Sequence, residues 1–204
     1  EPAGTAARRI PSTIVAAILF VSAGLIAVVD GQRETAGEAD GVLPSGVTVF
    51  DEDSPAVTNL DPDLLRALRQ AARVAAKNRV EIVVNSGWRS PKYQEQLLHE
   101  AVSKYGSETK AARWVATAET SFHVSGNAVD IGPSKAAVWL SRHGAAYGLC
   151  RIYRNEPWHY ELRPDAIEDG CPRMYANPRE AAEERSLQVR SGKLEVRSGS
   201  RMHQ

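Results

Sequence analysis

Cysteine is scarce in this sequence. Two in 204 residues are too few for a disulfide-stapled miniprotein or a four-Cys zinc site. An excess of charge of one sign is also lacking. The 25 Lys and Arg balance 25 Asp and Glu, so the basic surplus that marks most nucleic-acid-binding domains is missing, and no nucleic acid is expected as a partner. There is no internal repeat and no His-Glu-x-x-His, which excludes the helical zinc-protease arrangement. With 43% hydrophobic and 25% charged residues, disorder, collagen and coiled coil describe the whole chain poorly. At about 150 residues per domain, one domain with additional segments is expected.

Only one long uncharged run is present, Ile10 to Val29, behind Arg8 and Arg9 and ahead of the polar stretch Asp30 to Asp40. About 20 apolar residues can span a bilayer as a helix. The part richest in large aliphatics is shorter, Ile14 to Val21, and the small residues Ser22, Ala23 and Gly24 follow it, as in a secretory signal. The first residue is Glu rather than Met, so the sequence is expected to start inside a longer chain. Three readings stay open for residues 1–40: an uncleaved membrane anchor, a cleaved signal, or a buried core helix. The first two place the rest outside the cytoplasm, anchored or secreted, with the basic end inside. At the other end, residues 176–204 hold six basic and four acidic residues among scattered aliphatics. That composition predicts a disordered tail with room for a short helix around Pro178 to Leu187.

Between residues 41 and 175 helical and extended patterns alternate. Asp61-Pro62 is a helix opening, followed by Leu64, Leu65, Leu68, Ala71, Ala72 and Ala75 at helical spacing. Val80 to Val84 reads as a strand. Ser90-Pro91 opens a second helix, Lys110 to Ala118 suggests a third, and Ser134 is expected to cap a fourth. Ala128 to Ile131, Cys150 to Tyr153 and Trp158 to Leu162 read as strands, the last two paired antiparallel. The fold class is α+β, with helices packed on a mainly antiparallel sheet. Cys150 and Cys171 are 21 residues apart, and in an oxidising compartment they are expected to pair; in the cytosol two buried thiols would be the better reading.

Two of the five His stand in chemically suggestive company: His123 in Ser121-Phe122-His123-Val124-Ser125-Gly126-Asn127-Ala128-Val129-Asp130, and His159 in Glu156-Pro157-Trp158-His159. Two His and a carboxylate form a typical catalytic zinc shell with one open position, and a further carboxylate suits a general base. Pro157 biases Glu156 away from helix. Arg89, in Ser86-Gly87-Trp88-Arg89-Ser90, is charged at any working pH and presents a fork suited to anionic groups. His99, His143 and His203 lack ligand partners nearby in sequence, and Trp88 and Trp158 read as core or pocket wall.

Together, Ser-x-His-x-x-Gly-x-Ala-x-Asp, Glu-x-Trp-His and the upstream Ser-Gly-Trp-Arg-Ser resemble the zinc D-alanyl-D-alanine peptidases of the VanY type, over roughly Pro62 to Leu162. The resemblance implies Zn2+ held by His123, Asp130 and His159, with Glu156 as the catalytic base. It implies Arg89 facing the oxyanion or the substrate, and Ser121 and Gln94 lining the pocket. It further implies a monomer of the bacterial cell envelope acting on peptidoglycan stem peptides, removing terminal D-Ala from D-Ala-D-Ala. Two alternatives remain: an endopeptidase with the same site, and a non-catalytic wall-binding module.

Overall fold

The computed structural model describes residues 35–199, with side chains to residue 191. The apolar run 10–29 lies outside the described residues. Among those residues, no helix is long and apolar enough to cross a membrane.

The chain forms α1 (Pro55–Thr58), α2 (Pro62–Lys77), β1 (Val83–Ser86), α3 (Pro91–Tyr105), α4 (Glu108–Ala111), β2 (Ala128–Gly132), α5 (Ser134–His143), β3 (Leu149–Arg151), β4 (His159–Leu162), α6 (Ala166–Asp169) and α7 (Pro178–Gly199). The four strands make one antiparallel sheet in the order β1-β2-β4-β3, so the fold is α+β as expected.

Local chemistry explains the two main helix starts. The Asp61 carboxylate accepts from the amides of Asp63 and Leu64, with Pro62 at the first helical position. Ser90 accepts from the Tyr93 amide, and its hydroxyl donates to Asp40 at 2.8 Å. The latter bond ties residues expected as linker to the start of α3, and Ala36 is held in the same way by Gln96.

The sheet's alternation separates core from site. Val129 and Ile131 of β2 and Tyr160 of β4 pack with Leu64, Leu68, Ala71 and Ala75 of α2 and with Leu140 of α5. The intervening Asp130, His159 and Glu161 belong to the opposite face. All three are buried, and charged groups are tolerated there only when paired or ligated.

Several expectations shift. The first strand was expected at Val80 to Val84, but Val80 and Ile82 enter the core before pairing begins at Val83. The third helix was expected over Lys110 to Ala118 and ends at Ala111. Beyond it the carbonyls of Arg113 and Ala116 accept from the side chains of Asn155 and Gln94, not from helical amides. Ser134 is the first residue of α5; the preceding Pro133 is its cap. After β4, Ala166–Asp169 form the short α6. The C-terminal segment, expected to be a disordered tail beyond Leu187, is helical from Pro178 to Gly199.

Candidate metal centre and active site

The antiparallel register sets Asp130 directly opposite His159 on neighbouring strands, and Ser86 opposite Asp130 on the other side. The pairing of β1 is irregular between Val84 and Ser86, a bulge of the kind that re-aims side chains beside active sites. His123 comes from the loop before β2. It is locked by its Nδ1–H, which donates to the Gly87 carbonyl at 2.8 Å. A carbonyl only accepts, so Nε2 is left with its lone pair free.

Gly87 makes that bond possible. A Cβ there would lie 2.0 Å from the Ala56 carbonyl oxygen, so only glycine lets the backbone pass. Gly126 turns the loop at φ +75°, and its own Cβ would meet the Asn59 oxygen at 2.5 Å. It is therefore a packing requirement as well as a turn.

Three ligand atoms converge. His123 Nε2 lies 3.2 Å from His159 Nδ1 and 3.4 Å from Asp130 Oδ1, and His159 Nδ1 lies 3.3 Å from Asp130 Oδ1. A tetrahedral zinc with bonds of about 2.0–2.1 Å has ligand–ligand edges of about 3.3–3.4 Å. The triangle matches that edge, and the donor set of two imidazoles and one carboxylate suits the ion, so the residues fit zinc.

Electrostatics prepare these groups differently. Burial and the Arg89 charge hold the His123 pKa below its usual value, keeping the ring neutral. Burial alone would raise the Asp130 pKa, but the neighbouring imidazoles and the Arg89 charge outweigh it and hold the carboxyl well below the usual range. For His159, burial opposes the charge while Asp130 and Glu161 favour it, and the pKa is pushed up to about 9.

Glu161 is the residue that motif reasoning missed. It is fully buried; Oε1 sits 3.1 Å from His159 Nε2, and Oε2 accepts from Arg163. A carboxylate behind a ligating His fixes the ring orientation and raises ligand basicity. The signal was its position two residues after His159 on a strand, hence on the same face.

Glu156 stands at the edge of the triangle, Oε2 3.9 Å from His159 Nδ1. Its Oε1 is buried without a hydrogen-bond partner among the described residues. Burial raises its pKa to about 7, the range suited to a base working at neutral pH.

Arg89 donates from Nε to Ser86 Oγ (2.7 Å), from Nη1 to Gln94 Oε1 (3.1 Å) and from Nη2 to Asp130 Oδ2 (2.9 Å). Gln94 also donates to the Ala116 carbonyl at 2.8 Å, so here it braces the guanidinium. The three ligand residues, Glu156 and Arg89 line one cavity of about 260 Å³; Ser121 is buried on its wall, which Trp114, Phe122, Tyr153 and Trp158 also line. The Tyr153 ring lies 4.7 Å from the His159 ring; burial, then the Glu161 charge, push its phenol pKa up, so it remains O–H. Trp158 is 40% exposed and therefore pocket rim, not core; His99 and His143 are exposed. Cys150 and Cys171 are joined in a disulfide.

The family model for VanY, a D-alanyl-D-alanine carboxypeptidase, matches residues 57–165. A D-alanyl-D-alanine carboxypeptidase of Enterococcus faecalis (strain ATCC 700802 / V583) is 31% identical over 103 aligned positions, covering 38% of this chain and 38% of the relative. The match thus spans well under half of that curated relative. Among solved structures, a mutant of the vancomycin-resistance D,D-pentapeptidase VanY in complex with Zn(II) is 27% identical, with a TM-score of 0.50 over 54% of this chain and 75% of the other. VanYB in complex with D-alanine-D-alanine shares the fold at 23% identity and a TM-score of 0.52, over 69% of this chain and 90% of the other. With its family segment, its sheet and its converging triad in agreement, the chain belongs to the VanY family of D-alanyl-D-alanine carboxypeptidases.

Proposed function

We propose that this protein is a zinc peptidase acting on the peptide part of peptidoglycan, releasing the terminal D-Ala of D-Ala-D-Ala stems outside the cytoplasm. One observation carries the reading: His123, Asp130 and His159 present a triangle of zinc dimensions beside a buried carboxylate, Glu156, with an unpaired oxygen. The 27% identical relative holds Zn(II), and the curated relative carries the carboxypeptidase name, which supports the same reading. The disulfide fits an oxidising compartment.

Zinc at this site supplies a Lewis acid that polarises the scissile carbonyl and makes water acidic near neutral pH. Glu156 takes the proton from the attacking water on its free oxygen and passes it to the leaving amine. Arg89 spends three of its five N–H groups on Ser86, Gln94 and Asp130, which leaves two for developing negative charge or a substrate carboxylate. Such a braced donor needs no reorganisation during reaction, and removing one of this kind costs about 3–4 kcal/mol in kcat. Ser121 lines the cavity that receives the terminal residue.

The test is product mass. Zinc-loaded protein incubated with a muramyl pentapeptide ending in D-Ala-D-Ala is expected to release one alanine, and Glu156→Ala to release none. An internal cut would make the protein an endopeptidase with the same site. An intact peptide would contradict the reading.

A further inference from the structure

The family match ends at residue 165, yet the chain beyond it is built into the molecule. The Cys150–Cys171 disulfide ties it to β3, the amide of Tyr175 donates to Ile152 and that of Arg154 to Tyr175, and Ala181 of α7 is fully buried with Cys150, Ile152 and Tyr153. This anchorage brings α7 to the active site. Pro178, its first residue, lines the metal cavity, and the Arg185 guanidinium lies 4.7 Å over the ring of Phe122, the residue before His123.

Between α7 and the loop 118–125 runs a groove of about 690 Å³, with Ser121, Phe122 and Val124 on the loop side and Arg185, Val189 and Arg190 on the helix side. Its walls share Ser121 and Phe122 with the metal cavity, so the two spaces meet at one loop. The cavity, about 260 Å³, suits a small terminal residue; the longer acyl part of a stem peptide needs a path away from the metal. The groove offers apolar contact and two guanidinium groups against one carboxylate, Glu119, which is already engaged by Thr117 and its own amide.

We infer that this groove is a subsite for the acyl part of the substrate and that Arg190, beside Arg185, takes a free carboxylate several bonds upstream of the scissile peptide. The inference rests on the peptidase reading and adds the substrate feature selected. Arg190 is exposed and available to a ligand, whereas Arg185 is also committed to Phe122 and holds that wall in place. Arg is suited to this work because its planar fork matches a carboxylate.

The experiment uses the full chain, zinc-loaded, and three peptides ending in D-Ala-D-Ala: a pentapeptide with a free glutamyl α-carboxylate, the same pentapeptide with that group as carboxamide, and an N-acetylated tripeptide. Arg190→Gln is expected to raise KM for the free-carboxylate pentapeptide about tenfold with kcat unchanged, and to leave the other two substrates as they were. Arg190→Lys should recover part of the loss. Equal effects on all three peptides, or none on any, would overturn the subsite while leaving the peptidase intact. A change in sedimentation coefficient with no substrate discrimination would make the groove a contact between copies and also overturn it. If wild type cuts no peptide, calorimetric binding of the two pentapeptides decides. A preference for the carboxylate that Arg190→Gln removes keeps the subsite while the peptidase reading falls; no preference ends both.

Discussion

At the residue scale, His159 is defined by what stands behind it. Its Nδ1 faces His123 and Asp130, while Nε2 is held by Glu161, itself held by Arg163. Glu161 is a positioning residue: it touches no reacting atom, yet it sets which nitrogen is offered. Glu161→Gln keeps the shape and removes the charge. It is expected to weaken zinc binding about 10- to 100-fold, measured by competition with a chelator. Unchanged affinity would mean that Glu161 serves folding only. The proposed ligands and base, His123, Asp130, His159 and Glu156, were legible in sequence as candidates because their residue types stand in a fixed order that resembles a known family. Glu161 was not, because a lone Glu in a strand has no motif until the partner across the ring is known. Arg89 was legible as a site residue, but its bracing by Ser86 and Gln94 depends on the bulge in β1 and could not be read locally.

At the element scale, the strands and the two main helices followed from apolar periodicity and from the Asp61-Pro62 and Ser90-Pro91 starts. The end of α4 did not, because it is decided by tertiary hydrogen bonds from Asn155 and Gln94 to backbone carbonyls. The length of α7, beyond the short helix allowed around Pro178 to Leu187, was hidden for a related reason. Leu187 and Val189 are exposed, and the helix is held through Ala181, the Tyr153–Tyr175 bridge and the disulfide, so its sequence carries little apolar signal. Replacing both Cys150 and Cys171 by Ala removes a 21-residue loop constraint of about 3 kcal/mol. The expected result is a drop in Tm of roughly 10 °C, with faster amide exchange at residues 178–191 than in β2 and β4. Equal exchange in α7 with and without the disulfide would show that packing alone holds it.

At the scale of the whole molecule, the fold brings a loop and two strands together on three atoms that water would otherwise keep apart. The metal-free site is under electrostatic tension, and its pH dependence follows. His159, with its pKa raised to about 9, contributes stability that is complete below its unfolded value near 6.5 and is lost as pH rises through about 9. Glu156, raised to about 7, likewise contributes below its unfolded value near 4.5 and loses that contribution as pH rises through about 7. Metal reverses the trend, because zinc must displace the His159 proton and gains from an ionised Glu156 nearby. The apparent affinity should therefore rise about tenfold per pH unit below 9 from His159 alone.

The most direct measurement is the Tm difference between zinc-loaded and chelator-treated protein at pH 6 and pH 8, for wild type and for His159→Ala. Wild type should be stabilised by zinc at both values, more at pH 8 by roughly 5–10 °C, and His159→Ala at neither. A wild-type protein whose Tm ignores zinc at both pH values would contradict a metal centre built from His123, Asp130 and His159.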